Sequence, residues 1–237
     1  MNWAGINQAI NMHHWTVSTS LDEASKAAAD FIATQISAAI EVRAVCHMIV
    51  PGGNTPAGCF AALAEKSLPW GKVHCYPGDE RCYAVGHAER NDVMIEVNLL
   101  RRIPGMHFHP MAAELGAEQG ALLYRATLAS IDQFDIAFLG MGEDGHTASL
   151  FPGNEALQAR SAVVAVHQSP KPPADRISMS MATLQRARTR MVLAAGDSKA
   201  AIMARVRADE PLPVNQVGDI HWFVDEAALV IDSQASS

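Results

Sequence analysis

Phe134-Asp-Ile-Ala-Phe-Leu-Gly-Met-Gly-Glu-Asp-Gly-His-Thr147 runs an apolar segment directly into a loop that holds three glycines, two carboxylates and a histidine. A short apolar run halted by glycine reads as a buried strand ending in a turn. The same grammar appears twice upstream. Val45-Cys-His-Met-Ile-Val50 stops at Pro51-Gly52-Gly53, and Lys72-Val-His-Cys-Tyr76 stops at Pro77-Gly78. Between these runs the period changes to helical. Ser20-Leu-Asp-Glu23 reads as a capping box that opens an Ala-rich helix over 21–42, and 57–67, 91–103 and 111–130 follow as helices. Further strands are expected at 162–167, 176–181, 191–195 and 221–224, with helices near 182–188 and 197–209. Such alternation predicts an α/β fold, with a mostly parallel sheet and helices on both faces. Residues 1–237 read as a single domain, with a small subdomain around 140–175 as the alternative.

In an open parallel sheet, ligands bind beyond the carboxyl ends of the strands. The unusual residues fall there: Gly52-Gly53-Asn54-Thr55 after one strand, Asp79-Glu80-Arg81 after another, Gly142 to Thr147 after the third. The first of these fits two readings. Paired glycines before a helix make an anion cradle, and Pro56 equally marks a tight turn into the first helical turn. Gly140-Met-Gly-Glu-Asp-Gly145 matches the dinucleotide pattern G-x-G-x-x-G, but Pro152-Gly153 would cut the helix it needs. The next strand, ending at His167-Gln168, also offers no acid for a ribose. No nucleotide cofactor is therefore expected.

His146, set among glycines beside Asp144, is the candidate general base. The plainer reading is a surface histidine, and it is preferred for the other nine of the 10. Lys171-Pro-Pro-Ala-Asp-Arg176 places two cations around a stiff proline pair, and Lys199 opens a later helix. Each fits a phosphate partner or an ordinary solvated charge. His13-His14 and His107-Phe-His109 lack a carboxylate or cysteine at ligand spacing, so no metal is expected. With no G-x-S-x-G elbow, a serine nucleophile is unsupported.

Bulk properties narrow the partners. A net charge of −7 opposes nucleic-acid binding, which needs many phosphate-neutralising cations. Cys46, Cys59, Cys75 and Cys82 form no C-x-x-C pair and read as free thiols of a reducing compartment. Residues 1–15 carry no Lys or Arg and no apolar run, so no signal peptide is expected there. Nor does any stretch approach the roughly 20 apolar residues of a membrane span. The expectation is a cytoplasmic protein.

Taken together, these segments resemble the 6-phosphogluconolactonase family. Asp144-Gly-His-Thr-Ala-Ser-Leu-Phe-Pro-Gly153 reproduces that family's D-G-H-T-A-S-L-F-P-G signature without change. Its phosphate loop S-G-G-S-T-P is matched at Pro51 to Pro56, with Pro51 and Asn54 in place of serines. The D-E-R motif is matched at Asp79-Glu80-Arg81, with His87 and Asn91-Asp92 further on and Gly78 where an aromatic residue usually precedes it. K-P-P-x-x-R-I-S and G-x-x-K-A are matched at Lys171 to Ser178 and Gly196 to Ala200, and Trp222-Phe-Val-Asp225 is similar to the family's tail.

The resemblance implies a Rossmann-like sugar-phosphate isomerase/lactonase architecture. It also implies hydrolysis of 6-phospho-D-glucono-1,5-lactone, without metal or cofactor, by a monomer or weak homodimer. In that reading His146 activates water and Asp144 orients it. Gly52, Gly53, Asn54, Thr55, Asp79, Arg81, Lys171, Arg176 and Lys199 hold the phosphate and sugar hydroxyls. Amides near Gly142 or Gly53 are the candidates for the oxyanion.

Two rivals follow. A glucosamine-6-phosphate deaminase resembles D-G-H-I-A-F-N-E in this loop, and its ring-opening glutamate aligns with Phe151, which cannot move a proton. A sugar-phosphate sensor would need a DNA-binding segment, yet no cation precedes Lys26.

Overall fold

The first helix among the described residues shows how local chemistry sets its boundaries. In a computed structural model that describes residues 13–230, β1 (His14–Ser18) leads to α1 (Leu21–Arg43) through a cap at Ser20. Ser20 Oγ accepts from the Glu23 amide at 3.3 Å, and the Glu23 carboxylate reaches back to the amide of Thr19 at 3.1 Å. The expectation about a signal peptide falls largely on residues 1–12, outside the described range.

There follow β2 (Cys46–Val50), α2 (Ala57–Ala64), β3 (Val73–Pro77), β4 (Asp79–Arg81), α3 (Asn91–Asn98), β5 (His107–Phe108), α4 (Ala117–Leu128) and β6 (Ile136–Leu139). The second half adds β7 (Val163–Val166), β8 (Arg176–Met179), α5 (Met181–Gln185), β9 (Thr189–Ala194), α6 (Ala200–Arg207), α7 (Pro213–Gln216) and β10 (His221–Asp225).

Seven strands form one sheet in the order β1-β10-β9-β6-β2-β3-β5, every neighbour parallel. Alternate side chains enter opposite cores, as the strand period requires. On β6, Ile136 and Phe138 face the layer holding α1 and α2, whereas Ala137 and Leu139 face the layer of α4 and α6. From β2 the chain moves outward to β3 and β5, then returns to the other side of β2 for β6, β9 and β10. The order therefore reverses between β2 and β6, where a crevice opens at the carboxyl ends.

Several expectations change in three dimensions. Asp79-Glu80-Arg81 is a strand, not a loop, and it pairs antiparallel with β8. β7 and β8 stay out of the parallel sheet and form a separate antiparallel one, in the order β4-β8-β7. Gly78 is the step between the two: its amide donates to Val50 at 2.9 Å and its carbonyl accepts from Met179 at 2.8 Å. β1 and β5 were not legible, being short edge strands without alternation. The predicted helix over 111–130 begins later, because Gly116 takes a left-handed φ of 88° before α4.

Candidate active site

Beyond the carboxyl ends of β2 and β6 lies a cavity of about 410 Å³. Of the residues singled out from sequence, Gly52, Gly53, Thr55, Asp79, Arg81, His146, Lys171, Arg176 and Lys199 line it. Asn54 is exposed on the outer side of its loop, and Asp144 stands behind His146. Two other sequence motifs resolve differently. His87 is an exposed ring stacked on Tyr83, and no helix follows Gly140-Met-Gly142, which confirms the glycine pattern as a loop.

The glycine loop after β2 offers bare backbone donors. Among the described residues, no acceptor of the chain takes the amides of Gly52, Gly53, Asn54 or Thr55. Gly53 holds a φ of 83°, in the region that favours glycine. Amides turned outward this way, ahead of a helix, suit an anion.

His146 is held by three neighbours. Its Nδ1 and backbone amide both meet Asp144 Oδ1, at 2.5 and 3.2 Å. The Phe151 ring packs against it at 4.5 Å between centroids. Gly142 lies beneath it so closely that a Cβ there would fall 2.1 Å from ring atoms Cε1 and Nδ1. With Nδ1 donating to a carboxylate, Nε2 is the basic nitrogen. Burial pulls the imidazole below its ordinary range, against the opposing pull of Asp144, so the ring is neutral at neutral pH. Burial by itself would raise Asp144, but the hydrogen bond and charge of His146 outweigh it and hold the carboxyl low.

The Gly142 amide donates to the His146 carbonyl at 2.9 Å. It is spent on the loop's own turn, which removes that one amide from the oxyanion candidates near Gly142 and Gly53.

The cations divide by role. Lys199 donates to the Met141 carbonyl at 2.8 Å, and burial lowers its ammonium pKa. Lys171 is exposed at the cavity mouth. Arg176, only 5% exposed, spends its guanidinium on the carbonyls of Lys171 and Pro172, at 3.1 and 2.9 Å. It thereby holds the loop that carries Lys171, with its charged head 5.6 Å above the Phe151 ring. Arg81 is tied to Glu89 through both the carbonyl and the carboxylate, each at 2.8 Å.

Asp79 is engaged by the protein at both oxygens: Ser149 Oγ at 2.5 Å and Asn91 Nδ2 at 3.1 Å each donate to one of them. Glu80, fully buried, accepts from the amides of Arg81, Asn91 and Asp92, and so caps the start of α3. Burial raises its carboxyl to about 7.

Asn91 and Glu89 line the same cavity and were not among the expected site residues. The signal available for Asn91 was its place after the D-E-R segment; nothing local marked Glu89. Among the described residues, no group of three or more His, Cys, Asp or Glu side chains is arranged to hold a metal ion. No described helix is long and apolar enough to cross a membrane.

Comparison with known proteins follows the same residues. The profile of a family described as glucosamine-6-phosphate isomerases/6-phosphogluconolactonase matches residues 19–224. A 6-phosphogluconolactonase of Synechocystis sp. is 34% identical over 215 residues, covering 83% of this chain and 89% of that protein. A 6-phosphogluconolactonase of Homo sapiens is 38% identical over 195 residues, covering 76% of this chain and 72% of its own length. The crystal structure of a 6-phosphogluconolactonase from Shewanella baltica superposes with a TM-score of 0.83 at 26% identity, covering 90% of this chain and 98% of that one.

Proposed function

The chain belongs to the family of glucosamine-6-phosphate isomerases and 6-phosphogluconolactonases, and from that premise we infer that it hydrolyses 6-phospho-D-glucono-1,5-lactone to 6-phospho-D-gluconate, a step of the oxidative pentose phosphate pathway. A lactone is an activated ester, so an oriented water and a modest base suffice. In our reading His146 Nε2 takes a proton from water as its oxygen attacks C1. The carbonyl electrons move onto the C1 oxygen, for which backbone amides near Gly142 or Gly53 are the candidate donors. Collapse of that intermediate breaks the bond between C1 and the ring oxygen. His146 returns its proton to that oxygen, leaving a hydroxyl at C5 and a carboxyl at C1, and the latter ionises in water. Asp144 keeps the ring in the required tautomer and favours its charged form in the transition state.

Substrate is held at a distance from the chemistry. Lys171, Lys199, Arg81 and the amides of Gly52 to Thr55 take the phosphate and sugar oxygens, while Arg176 and Asp79 act by fixing the loops around them. The observation that carries the assignment is the His146–Asp144 pair, at 2.5 Å, opening into the same cavity as the bare glycine amides. Phe151, 2% exposed against the His146 ring, argues for hydrolysis over amino-sugar isomerisation, because a phenyl ring moves no proton. We place the enzyme in the cytoplasm, supported by four unpaired thiols, and propose that it acts as a monomer or weak homodimer.

The test generates the lactone in situ from glucose 6-phosphate and follows its loss against the spontaneous rate. His146→Ala is expected to lower the catalysed rate by about 10²- to 10⁴-fold. Catalysis within a few-fold of wild type would remove the base assignment. Ammonia release from glucosamine 6-phosphate, or ligand binding without turnover, would point to the isomerase or the sensor instead.

A further inference from the structure

Asn91 opens α3 at the floor of the cavity, only 5% exposed, with its side chain pressed against the phosphate loop. Its backbone amide donates to Glu80 at 2.7 Å, and its Nδ2 donates to both the carbonyl and the carboxylate of Asp79, at 2.9 and 3.1 Å. Both partners are acceptors only. The nitrogen end of the amide is thus fixed, because a flipped group would set oxygen against oxygen twice. The end left over is Oδ1, which lies beside Gly52: a Cβ on that residue would fall 2.0 Å from it. Among the described residues, no donor of the chain reaches Oδ1. Asn91 lines the cavity, so an oxygen that is oriented there and has no donor within the chain is open to a donor from whatever fills the cavity.

The substrate's chemistry decides which donor that is. A phosphate dianion and a lactone carbonyl have no hydrogen to give, and an amide oxygen would repel both. The hydroxyls on the sugar ring are the donors the ligand brings. We propose that Asn91 is a substrate-binding residue whose Oδ1 accepts from one ring hydroxyl of the lactone, while the same carboxamide fills the space under Gly52 and fixes the glycine loop. The inference rests on the lactonase reading above, and adds to it a residue that selects a hydroxylated ring. Asp79 becomes the positioning residue that aims Asn91, and the ring hydroxyl becomes a determinant of specificity separate from the phosphate.

The test compares kcat/KM of wild type and Asn91→Ala on 6-phosphogluconolactone and on its 2-deoxy, 3-deoxy and 4-deoxy analogues. Wild type should discriminate against one analogue by about 10-fold or more. Asn91→Ala should lose that discrimination, its kcat/KM on the parent lactone falling by about 10-fold more than on the deoxy lactone that wild type rejects. A uniform fall on all four lactones would make Asn91 a support for Gly52 alone and overturn the proposal, as would a variant indistinguishable from wild type. If Asn91→Ala does not fold, Asn91→Ser is read in the same way. Wild type accepting all three deoxy lactones equally well overturns the proposal with no variant needed. Absence of any lactone hydrolysis by wild type would instead overturn the function itself, so the two failures are distinct.

Discussion

Three groups act on the ring of His146, and each has a separate consequence. Asp144 fixes the tautomer, Phe151 removes water from one face, and Gly142 supplies space by having no side chain. Gly142→Ala would put a methyl group 2.1 Å from ring atoms, so the ring must turn. The expected result is a fall in kcat of about 10²-fold with little change in KM, since a small misplacement of a catalytic group costs that much. Steady-state kinetics on the two forms checks it.

The pH profile follows from the sign of the shift. Burial lowers the imidazole, so the basic form survives below the ordinary histidine range, and kcat/KM should fall only on the acid side of about 6.5. Asp144 opposes that shift, so Asp144→Asn should move the acid limb to lower pH while reducing kcat. His146 was legible because its glycines and its carboxylate are adjacent in the chain. Asn91 was marked only as a motif neighbour, because what matters about it is Gly52 and Asp79, which the loop after β2 and strand β4 bring to it.

At the scale of elements, the β7–β8 hairpin carries Lys171 to the cavity and is tied at its foot. His167 Nδ1 meets Asp175 at 2.7 Å, and Nε2 meets Glu118 on α4 at 3.1 Å. The hydrogen bond to Asp175, then that to Glu118, raises the imidazole. A raised histidine contributes fully below its unfolded pKa, about 6.5, and the contribution fades as pH rises through the folded value. With His167 44% exposed, the tie is worth no more than about 1 kcal/mol. Loosening it should therefore show in binding more than in stability. His167→Ala is expected to raise KM about 2- to 5-fold at pH 6 with kcat unchanged. The wild-type KM should drift toward the variant's at pH 8, and identical KM values at pH 6 would refute the tie.

Glu80 is a contrasting case. Removing its carboxylate strands the Arg81 amide on β4 and two amides at the start of α3, so Glu80→Ala should cost about 3 kcal/mol or more, a fall of roughly 10 °C in Tm. Calorimetry measures it directly. The element pattern around β2, β3 and β6 was readable from apolar runs stopped by glycine. β4 was not, since a three-residue strand has no period to detect and exists only because β8 lies beside it.

For the molecule as a whole, one apolar core joins the two sheets. Leu139, Val192 and Trp222 of the large sheet share a cluster with Val163, Ile177 and Met179 of the small one. We propose a single cooperative domain on that ground. Far-ultraviolet dichroism and tryptophan fluorescence should report one coincident thermal transition, whereas two separated transitions would divide it.

Near the β2, β3 and β5 edge of the large sheet lies a row of mostly half-buried histidines. His74 stacks between His107 and His109 at 4.6 and 5.2 Å, with His47 beside it at 5.1 Å. Burial and the neighbouring imidazoles lower His74 to about 4, and burial first of all lowers His47 and His109. The unfolded chain thus binds these protons more readily than the fold, and stability should fall as pH drops from about 6.5 toward 4. Glu80 works the other way, since a carboxyl raised to about 7 disfavours the fold as pH rises past the ordinary range. The histidine row is the larger group, so Tm at pH 5 should lie below Tm at pH 7.5, and His74→Gln should flatten the difference.

By itself the sequence determined what is written in neighbouring residues: the periods that make strands and helices, the glycine stops, the α/β class and the pairing of His146 with Asp144. Tertiary structure decided everything that depends on residues meeting across the chain. It reversed strand order between β2 and β6, diverted β4, β7 and β8 into a second sheet and turned Asn91 toward Gly52. Local propensity acts over a few residues, whereas the donors, acceptors and empty spaces that define a cavity belong to segments that only packing brings within hydrogen-bonding distance.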